Sequence, residues 1–400
     1  MIQKVKGLID MNVLLIPSDN SKSSGAFLSM VQLAKLLRDN YDCNVYVMVQ
    51  RKGNGSELLM SNGIPVFYNR AYNWVISIGE KRTFAFRVQK LAKEALNWIA
   101  IKKLNIWLKR NNIDIVHLNT SWTYIGAVSA HQCNIPVVWH IREFLEEDQH
   151  DEIWDKKYGY RLMSDSSKII AISKSIYNKY VNILPKDKLS IIYNGIDSVR
   201  FYREKHVILN AENVNILITG TISESKGQIQ IIKACRCLVD SHVENFTLHI
   251  VGIGSEEYTN KLQALVKKLE LTDKVVFHGF CGNTEQYYEK SDITCVCSKA
   301  EAFGRVTIEG MLSGTLVIGA ACGATEELIQ NNKTGLLYEY GNENDLTNKI
   351  KWAVTNKEIA RSIANCGRTY AKENMTAVIN AQNVYSLYQE VMEKKNENKN

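Results

Sequence analysis

Glu301 and Glu309 stand eight positions apart in the stretch Ser298-Lys-Ala-Glu301-Ala-Phe303-Gly304-Arg305-Val306-Thr-Ile-Glu309-Gly310. The segment follows the strand-like run Asp292 to Cys297, and Gly304 stands where a loop turns into a helix. Backbone N–H groups at a helix N-terminus attract phosphate. Flanked by two carboxylates, such a terminus suits a ligand that offers hydroxyls to the acids and an anionic group to the amides. A wholly helical segment would set the two glutamate backbones roughly 12 Å apart along the axis. Paired hydrolytic carboxylates converge at roughly 5 to 9.5 Å, so these two would grip different parts of one ligand. The plainer alternative is capping and dipole compensation at a helix start.

Two glycine-bearing turns follow the first strand of each half: Ile16-Pro-Ser-Asp-Asn-Ser-Lys-Ser-Ser-Gly25 and Gly220-Thr221-Ile-Ser-Glu-Ser-Lys226-Gly227. A lysine at a helix entrance meets phosphate as a point charge, although a surface lysine in a turn is more often simply solvated. The turn Gly252-Ile-Gly254 lacks the third glycine of a dinucleotide fingerprint, so no nicotinamide cofactor is expected.

The elements that must position these residues alternate along the chain. Strand-like runs at Val13–Ile16, Asn44–Val49, Asp114–Leu118, Pro136–His140, Lys168–Ile172 and Leu189–Tyr193 are separated by helical patterns, the first from Ser24 to Arg38. A second series runs through Asn215–Thr219, Thr247–Val251, Val275–His278, Asp292–Cys297, Thr315–Ile318 and Gly335–Tyr338. Such alternation predicts α/β architecture with two doubly wound parallel sheets, and a ligand cleft between them. The expected domains are residues 1–200, residues 201–375, and a segment 376–400. In that last segment a helix capped by Thr376 carries Ala381, Tyr385, Tyr388 and Met392 on one face, ahead of a disordered tail from Glu393 to Asn400.

Composition narrows the class. The 400 residues are 45% hydrophobic, enough for two cores. No uncharged apolar run reaches the roughly 18 residues of a membrane span, and Lys4, Lys6 and Asp10 precede the first strand-sized stretch, so neither a signal peptide nor a transmembrane helix is expected. The nine cysteines are scattered, with Cys235/Cys237 and Cys295/Cys297 two apart as on one strand face. They read as reduced core thiols of a cytoplasmic protein, and no metal site is expected. Between Lys81 and Arg110 nine basic residues face Glu94 alone, and Phe84, Val88, Leu91, Ala95 and Trp98 recur at helical spacing. This helix either buries its apolar stripe in the core or lies peripherally on an anionic membrane surface. No motif of a nucleic-acid reader is present.

Gly220…Lys226-Gly227, Gly252-Ile-Gly254, Phe277-His-Gly279-Phe280, Ser291-Asp292 and Glu301-Ala-Phe-Gly-Arg-Val…Glu309, in this order, resemble the second domain of glycosyltransferase family 4. Asp114-Ile-Val-His117-Leu-Asn119, Val137-Val-Trp-His140-Ile-Arg142-Glu143-Phe144 and Tyr193-Asn-Gly-Ile-Asp197 are similar to its first domain, so the resemblance spans roughly residues 11 to 392. It implies the GT-B fold, with the last helix returning to the N-terminal domain, and transfer of a sugar with retention from a nucleoside diphosphate, uridine above guanosine. In that reading Glu301 holds donor-sugar hydroxyls, Phe303 and Gly304 present amides, and Glu309 takes the ribose hydroxyls. Lys226 neutralises the leaving diphosphate, His140 sits beside the anomeric carbon, and Gly25 approaches the donor phosphates. Phe280, Arg305 and Val306 complete the implied donor set, and Arg142 and Glu143 lie on the acceptor side. The family's usual arginine after Gly220 is Thr221 here, and Arg305 is expected to supply the missing charge.

The resemblance further implies same-face attack without a metal, the leaving phosphate helping to take the acceptor proton. The expected acceptor is a lipid-linked or soluble saccharide in polysaccharide assembly. A non-catalytic GT-B partner subunit of an active transferase is the competing expectation, favoured by Thr221 and opposed by the joint presence of Glu301, Glu309, Lys226 and His140.

Overall fold

The computed structural model describes residues 10–397, so Lys4, Lys6 and the last three residues of the expected tail lie outside the described residues. The chain divides into two compact units, one formed by residues 1–195 with 377–400 and the other by residues 196–376.

The first unit holds a seven-stranded sheet. Its strands are β1 (Asn12–Ile16), β2 (Asn44–Val49), β3 (Val66–Tyr68), β5 (Ile115–Leu118), β6 (Val137–Ile141), β8 (Lys168–Ala171) and β9 (Leu189–Ile191), in spatial order β3-β2-β1-β5-β6-β8-β9. Every pairing in it is parallel. β4 (Val75–Ser77) and β7 (Asp151–Ile153) form a separate antiparallel ribbon. The sequence reading missed β3, β4 and β7. Each is three residues long, too short to show a period of two over the flanking pattern.

The second unit carries β10 (Val214–Thr219), β11 (Phe246–Val251), β12 (Val275–Gly279), β13 (Ile293–Val296), β14 (Leu316–Ala320) and β15 (Leu336–Tyr338) in the order β12-β11-β10-β13-β14-β15, again all parallel. Asp292, read as the start of a strand, instead staples the sheet from below: its carboxylate accepts the backbone N–H groups of Leu209 and Asn215, the latter at 2.8 Å. Cys235 and Cys237 lie in the helix Gln228–Asp240 rather than on a strand, so a spacing of two turns them to different sides: Cys235 is buried and Cys237 half-buried.

The helix Ala377–Glu397 returns to the first unit and extends the fold through residues 393–397, which the sequence reading had given to a disordered tail. Its Ala381, Val384, Tyr385, Tyr388 and Val391 are buried in the core that β1, β2 and the helix Gly25–Tyr41 share. Tyr385 stacks on Tyr41 with ring centroids 4.5 Å apart. Removing a buried aromatic side chain costs about 3 to 5 kcal/mol through lost transfer energy and the cavity left behind. Tyr385→Ala is therefore expected to destabilise the first unit by about 3 kcal/mol in urea unfolding; a loss below about 1 kcal/mol would show that the terminal helix is not part of that core.

Candidate active site

In the second unit, three observations converge on the turn after β13. Gly304 sits at φ 82°, ψ 55° and starts the helix Arg305–Ser313. That left-handed geometry is open to glycine at little cost and strains other L residues. No side chain caps this helix, and its first turn holds no acidic residue, so its positive end is uncompensated locally. Thr307, buried one turn in, has a hydroxyl without a hydrogen-bond partner, 3.2 Å from where a side chain at Gly304 would begin. The sequence reading passed over Thr307. Its signal was its place three residues after a glycine cap, on the side of the helix that faces back to that cap.

The loop that precedes Gly304 is fixed to the turn after β10. Lys226 donates to Glu301 Oε1 at 2.8 Å, and Lys299 N–H donates to the Ser225 carbonyl at 2.9 Å. Gly227 permits the approach: a Cβ there would lie 2.1 Å from the Cys297 carbonyl oxygen. One bond to Lys226 leaves the Glu301 carboxylate with further acceptor capacity.

Glu309 is buried on the same helix and held at both oxygens. Arg305 donates to Oε1 at 3.1 Å and Tyr288 Oη to Oε2 at 3.2 Å. Burial, and then the Glu309 charge, push the Tyr288 hydroxyl well above its ordinary range, so it stays a proton donor. Thus the structure brings Lys226 to Glu301 and Arg305 to Glu309. Phe303 is buried in the same loop, Val306 is half-buried, and Phe280 projects from the turn after β12 with 62% of its surface exposed.

In the first unit, Gly25 is the first residue of the helix Gly25–Tyr41, whose N-cap Ser24 accepts from Phe27 N–H. His140, at the end of β6, is fully buried. Its Nδ1 lies 3.1 Å from His117 Nε2 and 3.4 Å from Arg142 Nη2, and His117 Nδ1 lies 2.6 Å from Tyr388 Oη. A guanidinium only donates. The network therefore assigns His140 Nδ1 as an acceptor and puts the proton on Nε2, the atom that has no partner.

Burial, followed by the Arg142 charge, holds both imidazoles neutral: His140 well below its ordinary range and His117 at about 3. Arg142 is spent on Asn119, at 2.7 Å, and on Asn194. Glu143 accepts from Thr120 Oγ1 at 2.7 Å and from the N–H groups of Ser121 and Arg142; burial raises its pKa against these bonds. Both side chains are thus committed within the protein. A cavity of about 640 Å³ opens elsewhere in this unit, at the carboxyl ends of β1 and β2, lined among others by Asp19, Asn20, Arg51, Lys52 and Trp122. The sequence reading quoted Asp19 and Asn20 within the glycine-bearing turn before Gly25 and passed over Arg51, Lys52 and Trp122. Among the described residues, no group of three or more His, Cys, Asp or Glu side chains is arranged to hold a metal ion.

Comparison with known proteins agrees with this geometry. Residues 199–370 match the family model described as glycosyl transferases group 1, and residues 24–200 match that of glycosyltransferase family 4. An uncharacterized glycosyltransferase of Methanocaldococcus jannaschii is 30% identical over 59% of this chain and 64% of its own length. A 4-α-N-acetylgalactosaminyltransferase of Campylobacter jejuni, named for a diphospho-undecaprenol-linked saccharide, is 28% identical over 48% of this chain and 51% of its own. The chain thus spans less than two thirds of the length of either relative. Among solved structures, HepE of Anabaena in complex with UDP superposes with a TM-score of 0.76 at 23% identity, covering 95% of this chain and all of that one.

Stability should follow the two neutral histidines. The unfolded chain protonates them near pH 6.5 and the fold does not, so the unfolded state binds more protons below that pH and stability falls as the pH drops from about 6.5 toward the lowered folded values. The slope is up to about 1.4 kcal/mol per pH unit for each histidine. Urea unfolding at pH 7.5 and 5.5 should show His117→Gln flattening this dependence; an unchanged slope would refute a neutral buried His117.

Proposed function

This chain belongs to glycosyltransferase family 4, with the GT-B fold, and on that premise we propose that it moves a sugar from a nucleoside diphosphate to an acceptor hydroxyl with retention of configuration. The observation that carries the reading is the Lys226–Glu301 pair beside an uncapped helix terminus bearing an unpartnered Thr307 hydroxyl. Anion-seeking and hydroxyl-seeking groups stand together there, as a sugar diphosphate requires.

Lys226 and the amides after Gly304 stabilise charge that builds on the departing phosphate. Glu301 takes sugar hydroxyls with the acceptor capacity Lys226 leaves it. Glu309, fixed by Arg305 and Tyr288, accepts the ribose hydroxyls. In this reading Arg305 orients Glu309 rather than replacing the missing cation at Thr221, because its guanidinium is already engaged with that carboxylate. His140 Nε2–H donates to a substrate oxygen, and Gly25, at the Ser24-capped entrance of its helix, lets the donor phosphates approach the backbone. No step calls on a metal or cofactor.

A uridine nucleotide is the proposed donor, which the UDP and UDP-glucose complexes of the structural relative support. A lipid-linked saccharide on the cytoplasmic face of an anionic membrane is the proposed acceptor, in cell-surface polysaccharide assembly. The Campylobacter relative's name supports this choice. The cavity lined by Asp19, Arg51 and Trp122 is better placed to hold such an acceptor than Arg142 and Glu143, whose groups are committed within the protein.

A thermal-shift screen against UDP-, GDP- and ADP-sugars tests the reading: a UDP-sugar should raise the melting temperature, and no response to any nucleotide would end it. With the responding donor, Lys226→Ala and Glu301→Gln should lower kcat/KM by about a hundredfold, the scale of losing one transition-state contact. Arg305→Ala should instead raise KM for the donor with kcat nearly kept. A kcat loss for Arg305→Ala equal to that of Lys226→Ala would make it a phosphate ligand after all.

A further inference from the structure

The helix Phe84–Arg110 shows its apolar stripe to solvent, so of the two readings its sequence left open the one that buries the stripe in the core does not hold. Phe84 is 83% exposed, Leu91 64%, Trp98 61% and Ile106 70%, with Val88 and Ile99 beside them. At 3.6 residues per turn these six side chains fall within an arc of roughly 100°. Asn97, Ile101, Leu104 and Leu108 form the buried face on the opposite side. The helix is held in this orientation near its start and at its middle. Near its start Phe86 packs on Trp154, ring centroids 5.0 Å apart, and farther along Asn97 donates to the Tyr72 carbonyl at 2.9 Å. Hence the stripe is a fixed outward surface, and exposed apolar patches of this extent mark interaction sites.

The charge around the stripe selects the partner. Residues 81–110 carry nine basic groups and one acid, a net of +8, while the whole chain carries +7, so the remainder is slightly acidic and the cations are concentrated here. Glu94, the lone acid, is paired with Lys90 at 3.2 Å. Arg87 and Arg110 flank the apolar arc, while Lys102, whose ammonium lies 5.2 Å from the Trp98 ring centroid, and Lys109 stand within it on stems long enough to reach lipid phosphates as Phe84, Leu91 and Trp98 enter the headgroup boundary. We propose that this helix lies flat on an anionic lipid bilayer as the membrane-docking surface of the protein. Among the described residues no helix is long and apolar enough to cross a membrane. The inference deepens the proposed lipid-linked acceptor by naming the surface that would bring the chain to it.

Co-sedimentation of the full chain with phosphatidylcholine vesicles, with and without phosphatidylglycerol, tests it. Binding should require the anionic lipid and weaken with salt, since the cations act through a screened field. Phe84→Ser/Leu91→Ser/Trp98→Ser and, separately, Arg87→Glu/Lys102→Glu should each lower the partition by at least about tenfold while keeping the wild-type melting temperature and nucleotide-sugar response. Equal sedimentation with neutral vesicles, an unchanged partition of the triple serine variant, or a solution dimer that this variant dissociates would overturn the proposal. A chain that binds anionic vesicles yet ignores every nucleotide sugar would overturn the proposed function and leave the docking surface standing.

Discussion

The hydrogen-bonded contact between β10 and β13 constrains everything in the second unit that could do chemistry. From β10 the chain builds outward through β11 and β12, then crosses back to lay β13 against the other side of β10. All strands are parallel, so the turns leaving β10 and β13 emerge at the same edge of the sheet, where the strand order reverses. One turn brings Lys226 and the other brings Glu301, and their direct bond results from this topology. The first unit repeats the device between β1 and β5, whose outgoing turns carry the loop before Gly25 and the Asn119–Thr120 segment.

Energetically the Lys226–Glu301 pair is a positioning device more than a source of stability. Both side chains keep partial solvent contact, and a pair in that setting contributes little net free energy. Its value lies in holding opposite charges at a defined separation beside a helix terminus whose dipole favours anions. Glu309 belongs to a different regime. It is buried, and the desolvation of its carboxylate is offset by a guanidinium and a phenol that remains protonated. An acid so held has a fixed direction, which suits recognition of vicinal hydroxyls better than proton transfer.

Much of this was legible in the sequence. Strand positions in both sheets followed from apolar runs bounded by turn residues, because parallel strands buried on both faces read as continuous hydrophobic segments. The helix start at Gly304 and the acids around it were visible from residue type and spacing. What was hidden depends on long-range geometry. Whereas the Arg305–Glu309 pair, four apart on the helix after Gly304, is a local contact that the spacing already offered, nothing near Lys226 in the chain announces Glu301 as its partner. The outward stripe of the Phe84–Arg110 helix was equally hidden. Its period is that of any amphipathic helix, and only the packing of Asn97, Ile101, Leu104 and Leu108 decides which face goes inward.

The histidine chain shows how far such hidden contacts reach. Tyr388 belongs to the terminal helix, more than two hundred residues from His117, yet their side chains meet at 2.6 Å. Burial raises the Tyr388 hydroxyl well above its ordinary range, so it stays protonated and available to donate to His117 Nδ1. His117 then carries its proton on Nε2, toward His140 Nδ1, and Arg142 reinforces the same choice from the other side. Two donors converge on one nitrogen, so the only proton left to His140 is the one on Nε2, a buried atom without a hydrogen-bond partner. The returning helix therefore does more than complete a hydrophobic core. Through one phenol it fixes the tautomer of a buried imidazole, so the same packing that stabilises the first unit also sets which nitrogen of His140 carries its proton.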